Sequence, residues 1–216
     1  MHGGLANATT NDSFEDVKDY KALIRIFDIH SKQVFESKID LNIQHESSSL
    51  ILTIPQIENL TQTYFLDLRI YDNSGSEISN NFYWLSTKED VLDYEAKFDD
   101  WAYHTPSKEY ADFTIINSMP KVNLDISSKF VTEDKSSKII INLENNNEEI
   151  AFFIELQLLN KISKELILPV LWSDNYLSLL PNEKRIIEAK FNNDDLEIST
   201  EIELAVKGWN ISNSTL

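Results

Sequence analysis

The chain has no cysteine among its 216 residues. Disulfides, thiolate metal sites and cysteine nucleophiles are therefore excluded together. The compartment stays open on that ground, because a well-packed β-sandwich needs no covalent staple. Glycine occurs only at 3, 4, 75 and 208, and no phosphate-cradling loop can be built from that spacing. No apolar run reaches the roughly 18 residues of a membrane-spanning helix. Positive charge is scarce as well, with 19 Lys and Arg against 36 Asp and Glu and a formal charge of −17. Phosphate backbones and anionic bilayers repel such a chain, so neither nucleic acid nor membrane is expected as a partner. The opening Met1-His2-Gly3-Gly4-Leu5-Ala6 has no basic and apolar segments of a signal peptide.

Aromatic residues are plentiful (11 Phe, 8 Tyr, 4 Trp) and suffice for a buried core. Residues 1–13 are small and polar and read as a disordered lead-in. Short alternating segments then begin. Ala22–Phe27 is followed by a turn at His30-Ser31-Lys32. Ile39, Leu41 and Ile43 keep the period, as do Leu50, Leu52 and Ile54. Tyr64, Leu66, Leu68 and Ile70 alternate with Asp67 and Arg69, and Asp72-Asn73-Ser74-Gly75 marks a turn. Phe82–Leu85 closes the set. A period of two with regular turns predicts an antiparallel sheet with one buried face.

Between 86 and 120 the rhythm breaks. Val91, Tyr94, Phe98 and Trp101 have the spacing of a short helix face, and the stretch reads as an inter-domain connection. Beyond Pro120 the alternation resumes through Val122–Ile126, Ile139–Leu143, Phe152–Leu158, Ile167–Trp172, Ile187–Phe191 and Ile202–Val206. Asn145-Asn146-Asn147 and Leu180-Pro181-Asn182-Glu183 mark turns. Long amphipathic helices never alternate with the strands, which excludes a (β/α)₈ barrel. The fold class expected is all-β, with two consecutive immunoglobulin-like β-sandwich domains at 14–104 and 105–216.

Several motifs then carry a family likeness. They are Asn81-Phe82-Tyr83-Trp84-Leu85-Ser86, Val91-Leu92-Asp93-Tyr94, Trp101-Ala102-Tyr103-His104-Thr105-Pro106 and Tyr110-Ala111-Asp112-Phe113. The set continues with Pro169-Val170-Leu171-Trp172-Ser173-Asp174-Asn175-Tyr176, Leu179-Leu180-Pro181-Asn182-Glu183 and Val206-Lys207-Gly208-Trp209-Asn210. Together they resemble the C-terminal immunoglobulin-like domains of glycoside hydrolase family 2 enzymes, on the exo-β-D-glucosaminidase and β-mannosidase branch. The resemblance covers roughly residues 14–210. It implies a non-catalytic segment whose partner is the catalytic barrel of a parent enzyme, with carbohydrate as the alternative partner. It also implies a bacterial parent, periplasmic or secreted, and no cofactor. Surface that meets the barrel in the parent would leave the isolated segment able to form a weak homodimer. Two departures stand out. The 95–100 linker is long, and the first strand of the first sandwich, expected before Asn11-Asp12-Ser13, is degenerate or missing.

No residue set amounts to a catalytic centre. The two carboxylates of a retaining glycosidase stand about 5–5.5 Å apart, and in the resembled family both belong to the barrel. Asn182-Glu183 reads instead as a turn with a solvated Glu. His2, His30, His45 and His104 lack metal-ligand spacing. Asp90, Asp93, Glu95, Asp99 and Asp100 lack the spacing of a calcium loop and read as solvated. Five acceptor patterns for N-glycosylation, at Asn7, Asn11, Asn59, Asn210 and Asn213, are expected by chance in a chain this rich in Asn. Trp84, Trp101, Tyr103, Trp172 and Tyr176 could stack on sugar rings, although core packing is the commoner role of strand aromatics. The site residues singled out for contact with carbohydrate or a neighbouring domain are Trp172, Asp174, Asn175 and Tyr176, because aromatics there mix with short polar side chains at a strand end.

Overall fold

The computed structural model describes residues 6–97, 104–132, 135–195 and 201–216. The chain divides into two compact units, Met1–Ile116 and Asn117–Leu216. Apart from single 3₁₀ turns at Thr114–Ser118 and Asn193–Asp195, every regular element among the described residues is a strand. Both units are thus all-β, as the alternation requires.

In the first unit β2 (Val17–Asp28), β3 (Gln33–Ile43), β5 (Thr63–Tyr71) and β6 (Glu77–Ser86) form a four-stranded antiparallel sheet in the order β3-β2-β5-β6. β1 (Ala6–Asn11) and β4 (Ser47–Thr53) form a second, two-stranded sheet. Ile24, Ile26, Tyr64 and Leu66 pack with Ile54, Ile51 and Leu52 to make the core. Ser31 (φ 63°) and Gly75 (φ 85°) take left-handed conformations in the two hairpins, where Gly bears no penalty and Ser some. Asp72 Oδ1 accepts from the Ser74 and Ser76 amides to close the second hairpin.

The strand expected to be missing is present. β1 pairs antiparallel with β4, with Ala8 opposite Leu50 and Asn11 opposite Ser47. Its polar composition hides it from a periodicity search. What fixes its end is Asn11, whose buried amide donates to the carbonyls of Glu15, Ile43 and Gln44 and whose Oδ1 accepts from Ser13.

β5 is buried on both faces, where alternation predicted one. Its second face carries Phe65, Asp67 and Arg69, of which Asp67 is 2% exposed. Asp67 accepts from Arg25 Nη2 at 2.7 Å and from Arg69 Nη2 at 3.0 Å. Arg69 Nη1 then reaches Glu77 Oε2 at 3.1 Å. Phe65 and Phe82 stack beside this chain at 5.5 Å, and the Arg25 guanidinium lies 5.8 Å from the Phe27 ring centroid. Charges can be buried here because each carboxylate meets a guanidinium.

No helix forms at 91–97. β7 (Val91–Leu92) pairs with β8 (Ser107–Glu109) instead, and Tyr94 is 81% exposed. Phe98 and Trp101, the other half of the helix pattern, lie outside the described residues. Asp93 N–H bonds to Pro106 O at 2.7 Å, and Ala111 N–H to Asp90 Oδ1 at 2.7 Å. Residues 90–93 are thus tied to residues 106–111, and the Asp112 carbonyl accepts from the Gln62 and Thr63 side chains at the start of β5.

The second unit is a sandwich of two four-stranded sheets. One runs β12 (Leu171–Trp172), β14 (Lys184–Asn192), β10 (Ser136–Glu144), β9 (Asp125–Thr132). The other runs β13 (Leu177–Leu179), β11 (Ala151–Asn160), β15 (Ile202–Lys207), β16 (Ser214–Thr215). Ile139, Ile141 and Leu143 of β10 meet Ile154, Leu156 and Leu158 of β11 in one core, joined by Ile187, Ala189, Leu204 and Val206. Period-two patterning on both sheets dictates this packing.

Buried amides close its ends. Asn210 is 1% exposed; it accepts from Phe152 N–H and donates to Pro120 O and Ile150 O. Asn145 donates to the carbonyls of Glu149, Leu179 and Leu180. Asn11 and Asn210, two of the glycosylation patterns, are therefore internal structural residues. Gly208 is needed for space, since a Cβ there would lie 2.7 Å from Ile211 Cγ1.

Two outcomes follow. Asn210→Ala strands one N–H and two carbonyls, and we expect a loss of about 2–3 kcal/mol, read as a lower Tm for the second unit; an unchanged Tm would show the amide to be dispensable. Asp67→Ala takes the buried carboxylate from Arg25 and from Arg69, of which Arg69 keeps Glu77, and should remove about 3–5 kcal/mol. Replacing Arg25, Asp67 and Arg69 together by Met, Leu and Met should remove much less, as measured by denaturant unfolding.

Candidate functional site

The segment singled out in the sequence, Trp172 to Tyr176, is where the chain crosses from one sheet of the second unit to the other. Trp172 ends β12 opposite Ala189, and its half-buried indole packs against the core. Ser173 stays with that sheet, donating its N–H to Glu188 O and accepting from Glu188 N–H through Oγ. Asn175 belongs to the other sheet. Its Oδ1 accepts from Leu156 N–H at 2.8 Å and its Nδ2 donates to Leu156 O at 3.0 Å. β13 pairs Leu177 with Ile154; two residues further out the Asn175 amide replaces the backbone in the ladder. Asp174 Oδ1 accepts from Asn175 N–H at 2.8 Å and shapes the crossing.

The four residues therefore do not converge on one surface. Trp172 serves the core, Asp174 and Asn175 serve the backbone, and Tyr176 alone points outward at 54% exposure. Tyr176 joins residues that sequence reasoning passed over. Its ring lies 5.6 Å from Phe153, which lies 5.8 Å from Phe152, which lies 6.4 Å from Trp209. Phe152 is buried, while Trp209 is 50% exposed. The row of rings thus surfaces at both ends.

Phe153 owes its position to a β-bulge. Ala151 pairs with Leu179 and Ile154 with Leu177, so two residues of β11 face one of β13. Phe153 has φ 55° and Tyr176 φ 57°. Bulky side chains in this region carry a strain of about 1–3 kcal/mol each, and bulges re-aim side chains in this way. The only sequence signal was the doubled Phe152-Phe153, which breaks the alternation.

Polar groups lie beside the rings. Tyr176 Oη donates to Glu155 Oε1 at 3.2 Å, and Gln157 Nε2 donates to the same oxygen at 2.7 Å. Lys207 Nζ donates to Gln157 Oε1 at 2.9 Å. The hydrogen bond to the Glu155 carboxylate, aided by its charge, raises the Tyr176 pKa above the ordinary phenol value.

Elsewhere the candidates separate. Glu183 is not a solvated turn residue: its carboxylate accepts from Leu180 N–H at 2.9 Å and from Arg185 Nε at 3.1 Å. Asn182 does adopt the left-handed turn conformation, with φ 60°. Trp84 sits on β6 opposite Phe65 and is 40% exposed. His2, Asp99, Asp100, Trp101 and Tyr103 lie outside the described residues. Asp93 pairs with Lys108 at 3.3 Å. His104 is exposed. Among the described residues no group of three or more His, Asp or Glu is placed to hold a metal, and no helix is long and apolar enough to cross a membrane.

The Tyr176–Glu155 bond makes a signed prediction. The folded state holds the phenolic proton more tightly than the unfolded state, so the resulting stability is full below the unfolded pKa. It is lost as pH rises through the raised folded value. Ultraviolet titration should show two tyrosines ionising late, Tyr64 because it is buried and Tyr176 because of its bond to Glu155, and Glu155→Gln should return only the Tyr176 component toward the ordinary range.

The geometry has clear counterparts. The sequence profile of the exo-β-D-glucosaminidase Ig-fold domain matches residues 102–211, and that of the mannosidase Ig/CBM-like domain matches residues 8–88. An exo-β-D-glucosaminidase of Streptomyces avermitilis is 31% identical over 93% of this chain and 22% of its own length. That of Amycolatopsis orientalis is 26% identical over 100% of this chain and 21% of its own length. The crystal structure of the Amycolatopsis orientalis exo-chitosanase CsxA aligns with a TM-score of 0.90 at 25% identity, over 99% of this chain and 25% of that one. The chain thus spans about a fifth of the length of these curated relatives, and further relatives are fungal. With two β-sandwich units and a profile match over more than half its length, the chain belongs to the exo-β-D-glucosaminidase Ig-fold domain family, on the glucosaminidase and mannosidase branch of glycoside hydrolase family 2.

Proposed function

We propose that the chain is a non-catalytic accessory segment of an exo-β-D-glucosaminidase-type enzyme, and that it packs against and supports the catalytic barrel. The observation that carries this reading is the connection from β11 into the first residue of β12. Ile162, Leu166, Leu168 and Leu171 are 79%, 53%, 67% and 74% exposed there. Four large aliphatic side chains turned to water, three on this short connection and one at the start of β12, are out of keeping with a free-standing domain and mark a surface that another body covers. The family membership and the chain's share of its relatives' length support the barrel as that body.

The chain alone should release no product from an aryl β-D-glucosaminide; turnover that survives rigorous purification would overturn the reading. The docking surface is tested with the catalytic portion of the same enzyme, supplied separately. The chain should copurify with it, and Leu168→Asp combined with Leu171→Asp should abolish copurification without lowering the Tm of either unit. In isolation the same aliphatic surface supports a weak homodimer. Sedimentation should then depend on concentration in the parent chain and not in the double variant.

A further inference from the structure

The aromatic row of the second unit has no part in the docking connection, and its construction points to a ligand. Tyr176 and Trp209 are large, flat and half-exposed. The Phe153–Tyr176 pair is built from two residues in left-handed backbone conformations, where most side chains are disfavoured. Core packing does not require it: the inward face of β11 is already filled by Ile154, Leu156 and Leu158. Such strain, held by surrounding structure, collects where a surface has a use.

The polar half of the surface is ordered as well. Glu155 Oε1 receives both Tyr176 Oη and Gln157 Nε2. Its carboxylate is thereby fixed beside the Tyr176 ring, while Oε2 takes no hydrogen bond among the described residues. Lys207, held at 2.9 Å by Gln157 Oε1, adds a donor at the far end. A flat apolar ring flanked by an oriented acceptor and donor suits one ligand chemistry closely. A pyranose presents an axial C–H face to an aromatic ring and hydroxyl or ammonium donors around its rim. An ammonium would gain further from the ring quadrupole and from a charge-assisted bond to the carboxylate.

We propose that Tyr176, Phe153, Glu155 and Gln157 form a surface subsite for a pyranose ring of an oligosaccharide, with Tyr176 as the stacking platform and Glu155 Oε2 accepting from the sugar. Trp209, at the other end of the row, is a second platform for a ring further along the same saccharide. The subsite is distinct from the supporting role and would hold a saccharide chain on the enzyme without cleaving it.

The test is isothermal titration of the whole chain with two tetrasaccharides, one of β-linked glucosamine and one of β-linked glucose. Saturable binding of either is expected. Tyr176→Ala should weaken it about tenfold or more, the equivalent of about 1.4 kcal/mol, whereas Tyr176→Phe should retain most of it. Glu155→Gln should weaken the glucosamine oligomer more than the glucose oligomer if the bound donor is an ammonium, and both alike if it is a hydroxyl; either pattern supports the subsite. Unchanged circular dichroism of the variants confirms that they fold. No saturable binding of either oligomer, or binding that Tyr176→Ala leaves intact, overturns the proposal. The Leu168→Asp, Leu171→Asp variant should bind sugar normally, and Tyr176→Ala should still copurify with the catalytic portion, so the two readings fail separately.

Discussion

A strand that ends inside a sandwich leaves N–H and C=O groups with no neighbour to pair, and each such group is costly once water is removed. This chain meets that constraint with asparagine side chains. Asn145, Asn175 and Asn210 in the second unit, and Asn11 in the first, each offer an amide that donates and accepts much as a peptide group does. A carboxamide at the end of a short side chain can enter a ladder where the main chain has turned away. With no cysteine to staple loops and few glycines to bend them, the sandwich ends depend on these contacts. The abundance of Asn that makes glycosylation patterns look frequent has this structural use at two of the five sites.

The crossing from Trp172 to Tyr176 is a local consequence. To change sheets, the chain must leave one ladder before it has joined the other. Ser173 is bonded to the sheet being left, and Asn175 to the sheet being joined. That leaves Tyr176 turned outward at the corner in a left-handed conformation, where it meets the ring that the β11 bulge has turned outward too. The exposed aromatic pair is thus built by two backbone irregularities on adjacent strands. Neither irregularity alone would create the surface.

In the first unit the two faces of β5 show opposite solutions to burial. One face is aliphatic and packs in the ordinary way. The other buries Asp67 and Arg69, which succeeds only because Arg25 and Glu77 come from neighbouring strands to complete the charge pairs. Replacing either partner alone is damaging for that reason. The same geometry explains why Asp67 and Arg69 read from sequence as a solvated face: alternation reports polarity, whereas burial depends on what the next strands bring.

The sequence by itself determined the all-β class, the alternation that fills both cores, the turns around Ser31, Gly75 and Asn182, and the family, because these rest on local periodicity, turn chemistry and contiguous motifs. Tertiary structure decided the rest. β1 has too little apolar pattern to be seen without β4. The apparent helix face at Val91 and Tyr94 became an edge pairing with residues 107–109. Glu183, read as solvated, caps its own turn. Among Trp172, Asp174, Asn175 and Tyr176 only the last turns outward, and its companions Phe153 and Glu155 come from β11, some twenty residues away. Such groupings are set by strand pairing and by one bulge, and pairing between distant segments leaves no mark in the local spacing of residues.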